Sequence, residues 1–65
     1  MYTKEQVREA IENCLTKNEQ EIITSRFGLN DGMPWTLNDI QINFGVTREE
    51  VRAIEKKVLV YLKGS

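Results

Sequence analysis

The chain has no histidine, one cysteine and one proline in 65 residues. Each scarcity removes a class of function. A single cysteine cannot build an internal disulfide framework. Without histidine, a zinc site made from the usual His and Cys ligands has no donor set. The nucleophile–base pairs behind most covalent catalysis are missing too. No carboxylate pair stands isolated in an apolar setting, and there is no glycine-rich phosphate loop. Asn30-Asp31-Gly32 is a fragment of a calcium-loop pattern without the rest of its ligand series. The expectation is a protein that is not an enzyme, with no catalytic residues, no metal and no cofactor. No apolar run approaches the ~20 residues of a membrane-spanning helix, and no secretory leader pattern follows Met1. The expected location is cytoplasmic, with Cys14 reduced and no membrane partner.

What is present reads as a folded helical chain. Apolar residues make up 40% and charged residues 29%, a globular mixture. The length suits one small domain over residues 1–65, whose core supplies ~3–5 kcal/mol at best. Four Thr-x-x-acid/amide boxes punctuate it: Thr3 with Gln6, Thr16 with Glu19, Thr36 with Asp39 and Thr47 with Glu50. Gly28 and Gly45 stand where left-handed helix stops belong, and Asn30, Asp31, Gly32 and Pro34 mark a turn-rich connection. Helices are expected at about 4–13, 17–27, 37–44 and 48–63, with Gly64 and Ser65 fraying. Val7, Ala10, Ile11 and Cys14 share the inner face of the first, and Ile22, Ile23 and Phe27 that of the second. Leu37, Ile40 and Phe44 face inward on the third, and Val51, Ile54, Val58, Leu59 and Leu62 form the stripe of the last. The fold class is all-α: a small four-helix bundle ending in a helix-turn-helix, with no winged elements.

Nine basic groups against ten acidic ones lack the domain-wide basicity usual for nucleic-acid binding. Their distribution says more. From Arg48 to Lys63, five basic groups stand against three acidic. Arg48, Arg52 and Lys56 recur every four residues and line one face, with Glu49 and Ala53 beside them. Arginine can donate two hydrogen bonds to a guanine edge, and glutamate can accept from the cytosine amino group. The helix starts at Thr36 and Thr47 point unpaired N–H groups outward, which suits phosphate. From spacing alone, a solvated face laced by weak ion pairs of ~0.2–0.5 kcal/mol each explains these residues equally well.

The residues themselves carry a resemblance. Leu15-Thr16 followed by acidic residues, then Arg26-Phe27-Gly28-Leu29, a loop, Thr36-Leu37-x-acid-Ile40, and Gly45-Val46-Thr47-Arg48-Glu49-x-Val51-Arg52-x-Ile54-Glu55 together resemble region four of housekeeping-type bacterial sigma factors. The resemblance covers about residues 14–63. It implies a helical domain whose helix-turn-helix binds the minus-thirty-five element of promoter DNA, and whose other face holds the flap tip of the RNA polymerase β subunit. It makes Arg48 and Glu49 base readers, Arg52 a base or phosphate contact, and Lys57 a backbone contact. Thr36, Leu37 and Asn38 would meet phosphate through backbone groups, and the flap would sit on apolar residues of the first helices. Thr47 and Lys56 complete the expected DNA-facing set. A complete sigma factor has further parts that melt the promoter and grip the polymerase. The chain is therefore expected to be either an excised domain or a small standalone protein working with a partner. The implied partners are the polymerase core and, for a standalone protein, a second protein supplying the rest of a sigma factor, or a regulator.

Several positions depart from that pattern. Ala53 stands where the family usually has a base-reading Gln, and Glu50 replaces a basic residue. Val60 and Tyr61 also replace basic residues, and Thr24 stands where a phosphate-binding Arg is common. Gln41 takes a close-approach position where a small residue is usual. With about 0.9 log units of salt dependence per phosphate neutralised, losing three or four contacts weakens binding heavily. The isolated domain is expected near the weak end of the ~10⁻⁴ M non-specific range at physiological salt. Met33, Trp35, Ile42 and Tyr61 are apolar or aromatic where surface is expected, and mark a candidate protein interface. A core-covering role for Trp35 is the plainer alternative. The second functional expectation follows: a protein-interaction module of sigma-like fold, binding polymerase or a regulator with weakened DNA reading.

Overall fold

The computed structural model describes residues 2–30 and 32–64. Asp31 of the expected turn and the terminal Ser65 lie outside the described residues. Four helices follow one another: α1 (Lys4–Cys14), α2 (Lys17–Phe27), α3 (Leu37–Phe44) and α4 (Arg48–Gly64). No strand occurs among the described residues, and no helix is long and apolar enough to cross a membrane. Gly64, expected to fray, is the last residue of α4.

The helix starts are chemical, and three of the four predicted boxes form completely. At α1, the Gln6 N–H donates to the Thr3 hydroxyl at 3.1 Å and the Thr3 N–H donates to Gln6 Oε1 at 2.8 Å. The same reciprocal pair joins Thr16 with Glu19 and Thr36 with Asp39. At α4 the Glu50 N–H donates to the Thr47 hydroxyl at 3.2 Å. The Glu50 carboxylate makes no return bond among the described residues. Each cap contributes about 1 kcal/mol, a large share in a chain of this size.

The stops are equally local. Gly28 closes α2 at φ +67°. Its N–H donates to the Ser25 carbonyl at 3.2 Å, and the Leu29 N–H donates to Thr24 at 3.1 Å, the paired bonds of a Schellman ending. A Cβ there would stand 2.6 Å from the Pro34 nitrogen, so the returning loop also depends on this glycine. Long-range bonds then pin the loop. The Trp35 N–H donates to Ser25 at 3.1 Å, Arg26 Nη1 donates to the Trp35 carbonyl at 3.0 Å, and Arg8 Nη2 donates to the Leu29 carbonyl at 2.8 Å. Gly45, at φ +65°, ends α3, and Val46 and Thr47 lead directly into α4.

All four helices contribute to one core: Ala10 and Ile11, Ile22 and Ile23, Ile40, and Val51, Ile54, Val58 and Leu62. The largest helix–helix contact is between α1 and α4. Ile23, Ile40, Val51 and Val58 are the largest fully buried side chains. Leu15, in the short connection between α1 and α2, is buried as well. One expectation needs correction, and one pair of alternatives is decided for the plainer. Leu59 is not part of the stripe but half open to solvent. The seam of α4 runs Ile54, Val58, Leu62 at four-residue steps, and Leu59 falls in the next row, after Glu55. Trp35 is not a free surface side chain. It is half-buried, packs against the core and meets the Phe44 ring at a centroid distance of 6.0 Å, tilted by 41°.

Candidate nucleic-acid interface

Burying Val51, Ile54, Val58 and Leu62 leaves the opposite side of α4 to solvent. Two adjacent rows lie there, Arg48-Arg52-Lys56 and Glu49-Ala53-Lys57, all exposed. Among the described residues, the side chains of Arg48, Glu49, Arg52 and Lys56 make no hydrogen bond or ion pair. A face laced by ion pairs is therefore not what the early turns of α4 present. Their charges are available to something outside the chain.

The helix starts beside this face are partly committed. The Thr36 N–H is taken by Asp39 Oδ2 at 3.2 Å, and the Asp39 N–H by the Thr36 hydroxyl at 3.1 Å. The first turn's remaining donors, on Leu37 and Asn38, have no intrahelical acceptor by helix geometry. Asn38 is exposed and Leu37 half-buried. At α4 the Thr47 hydroxyl is engaged by Glu50, leaving the Arg48 and Glu49 N–H groups as the open donors.

Lys57 differs from its neighbours. Its Nζ donates to Glu19 Oε2 at 2.8 Å, joining α4 to the first turn of α2. The Lys57 hydrogen bond and the Thr16 N–H hold the Glu19 carboxyl below its ordinary value of 4.5, in that order of importance. Cys14 lies in the same neighbourhood. Burial, and then the negative charge of Glu19, push its thiol above the ordinary 9.0, against the opposing effect of Lys57. The thiol stays protonated at neutral pH and is a poor nucleophile.

The expected protein-interface residues separate into two kinds. Met33 is 69% exposed and Ile42 71%. Trp35 and Tyr61 are half-buried against the core, and the Tyr61 hydroxyl accepts from Asn13 Nδ2 at 3.1 Å. Periodicity missed a shallow apolar groove floored by Cys14, Ala53, Val60 and Tyr61 and rimmed by Lys56 and Lys57. It draws on both α1 and α4, so no single stretch of chain signals it. Val60, 61% exposed, and Tyr61 were the local hints.

Comparison with known proteins agrees with this architecture. The family described as sigma-70, region 4 matches residues 13–64, which takes in α2, α3 and α4 entirely. RNA polymerase sigma factor SigA of a Bacillus species is 43% identical over 60 residues. The aligned part covers 92% of this chain but 16% of that relative. With the family matching most of its length and such a relative aligned to nearly all of it, the chain belongs to sigma-70 region 4, a non-enzymatic, DNA-binding domain of transcription initiation.

Proposed function

We propose that the chain binds the minus-thirty-five element of promoter DNA through the early turns of α4, and that it contacts the flap of the RNA polymerase β subunit through apolar surface on its first helices. The observation that carries the DNA reading is the row Arg48-Arg52-Lys56, exposed and without internal partners on a helix whose other flank is sealed. Arg48 would donate to a guanine edge and Glu49 accept from a cytosine amino group. Arg52 would reach a base or phosphate, and Lys56 and Lys57 the backbone. The Leu37 and Asn38 N–H groups at the start of α3 would meet a phosphate, with Thr36 and Thr47 holding the two helix starts in place.

Binding by the lone chain is weak on this account. Ala53 offers only a methyl contact, Glu50 brings negative charge near the phosphates, and Val60 and Tyr61 carry no charge. Fluorescence anisotropy with an upstream promoter duplex tests the reading. Arg48→Ala and Arg52→Ala should each lower affinity at low salt. Full retention of binding in both variants contradicts DNA reading by α4, and sub-micromolar selective binding by the wild-type chain at physiological salt contradicts the weak-binding part.

The exposure of Ile42 and Val60 supports a second reading, a module that docks polymerase or a regulator while its DNA reading is reduced. The same titration separates the two, since only the first makes the arginines matter to duplex binding. The partners proposed are promoter DNA and the polymerase or a regulator, and the location proposed is the cytoplasm.

A further inference from the structure

Glu19 and Lys57 are 38 positions apart, yet their side chains meet at 2.8 Å. Lys57 belongs to the row beside Arg48-Arg52-Lys56, so the pair sits at the edge of the proposed DNA face. Its acid is not a loose surface carboxylate. Glu19 Oε1 accepts from the Thr16 N–H at 3.0 Å, while the Glu19 N–H donates to the Thr16 hydroxyl at 3.3 Å. The capping box orders the side chain and presents Oε2 to α4. Ordering two long side chains is much of what makes exposed ion pairs weak, and here one of the two is already ordered by another bond. Carboxylate and phosphate oxygens make the same kind of charge-assisted bond to an ammonium. Lys57 has two further donors, but the Glu19 carboxylate takes one of the three and offsets the ammonium's charge, so a phosphate meets a cation already partly neutralised.

We propose that Glu19 is an internal competitor for DNA phosphate at Lys57, and that it sets the affinity of the interface by withholding one of its cations. This rests on the reading of α4 as the DNA-facing helix. It adds a residue from α2, outside the helix-turn-helix, that controls the strength and salt dependence of binding.

Glu19→Gln is a clean probe, because glutamine also serves at this position of a capping box. The chain is titrated by anisotropy against a short duplex of mixed sequence over a range of salt. Glu19→Gln is expected to bind about two- to fivefold more tightly at low salt, with the log–log salt slope steeper by about 0.9. Lys57→Gln supplies the second background. In it Glu19→Gln should give neither gain, the non-additivity expected of a contacting pair. An equal gain from Glu19→Gln with Lys57 present and with Lys57→Gln in place means general charge repulsion, and overturns the proposal. Unchanged affinity and slope in Glu19→Gln, with Arg48→Ala still weakening binding, overturns the proposal and leaves the DNA reading standing. Binding insensitive to both Glu19 and the arginines removes the DNA reading and the proposal together.

Discussion

The four arginines divide into two pairs. Arg8 and Arg26 reach backbone carbonyls of the α2–α3 loop, at Leu29 and Trp35. Arg48 and Arg52 bond to nothing among the described residues. The same side chain thus serves the fold in the first half of the chain and is left over in the second. Arg26→Ala should cost about 1–2 kcal/mol of stability through the lost loop bond, whereas Arg48→Ala should stay within about 0.5 kcal/mol of wild type. Urea unfolding of the two variants checks the contrast. Glu19 supplies a pH test. Its folded carboxyl lies below the ordinary 4.5, so its contribution is present above that value and is lost as pH falls through the lower folded one. Wild type should melt slightly above Glu19→Gln at neutral pH. That difference should close under acid, and thermal melts from pH 7 downward read it directly.

At the scale of elements, α2 and α3 end on glycines with almost the same backbone angles and different surroundings. Around Gly45 nothing lies within 4 Å of an added Cβ. Gly45→Ala therefore carries only left-handed strain, about 1–2 kcal/mol. At Gly28 the Cβ would also meet the Pro34 backbone at 2.6 Å, and the cost should rise to on the order of 3 kcal/mol. Thermal unfolding should rank wild type, Gly45→Ala and Gly28→Ala in falling order. An equal loss in the two variants would show that the loop yields. These elements were legible because their signals are local: a threonine, its partner three residues on, a four-step apolar stripe and a glycine. Leu15 and Leu59 were not, and Trp35 was legible only as one of two alternatives. Leu15 lies outside any helical stripe, Leu59 fits the apolar pattern but falls one row off the seam, and the burial of Trp35 depends on Phe44 and on a loop folded back over Gly28. Their environments come from tertiary packing, which short-range spacing does not encode.

For the whole molecule, the division is between a sealed side of α4 and an open one. The exposure of Arg48, Glu49, Arg52 and Lys56 could be read from their spacing against Val51, Ile54 and Val58. The engagement of Lys57 could not, because its partner is 38 residues away on another helix. The groove at Cys14, Ala53, Val60 and Tyr61 was hidden for the same reason. A chain with net charge −1 must bind a polyanion through local rather than overall charge. The DNA contact proposed for it is therefore narrow and sensitive to salt. The direct measurement is an amide NMR titration of the chain with an upstream promoter duplex at low salt. The largest perturbations should fall on Arg48, Glu49, Arg52, Ala53 and Lys56, with a smaller set at Leu37 and Asn38. Perturbations confined to α1 and α2, with the early turns of α4 silent, would contradict the account.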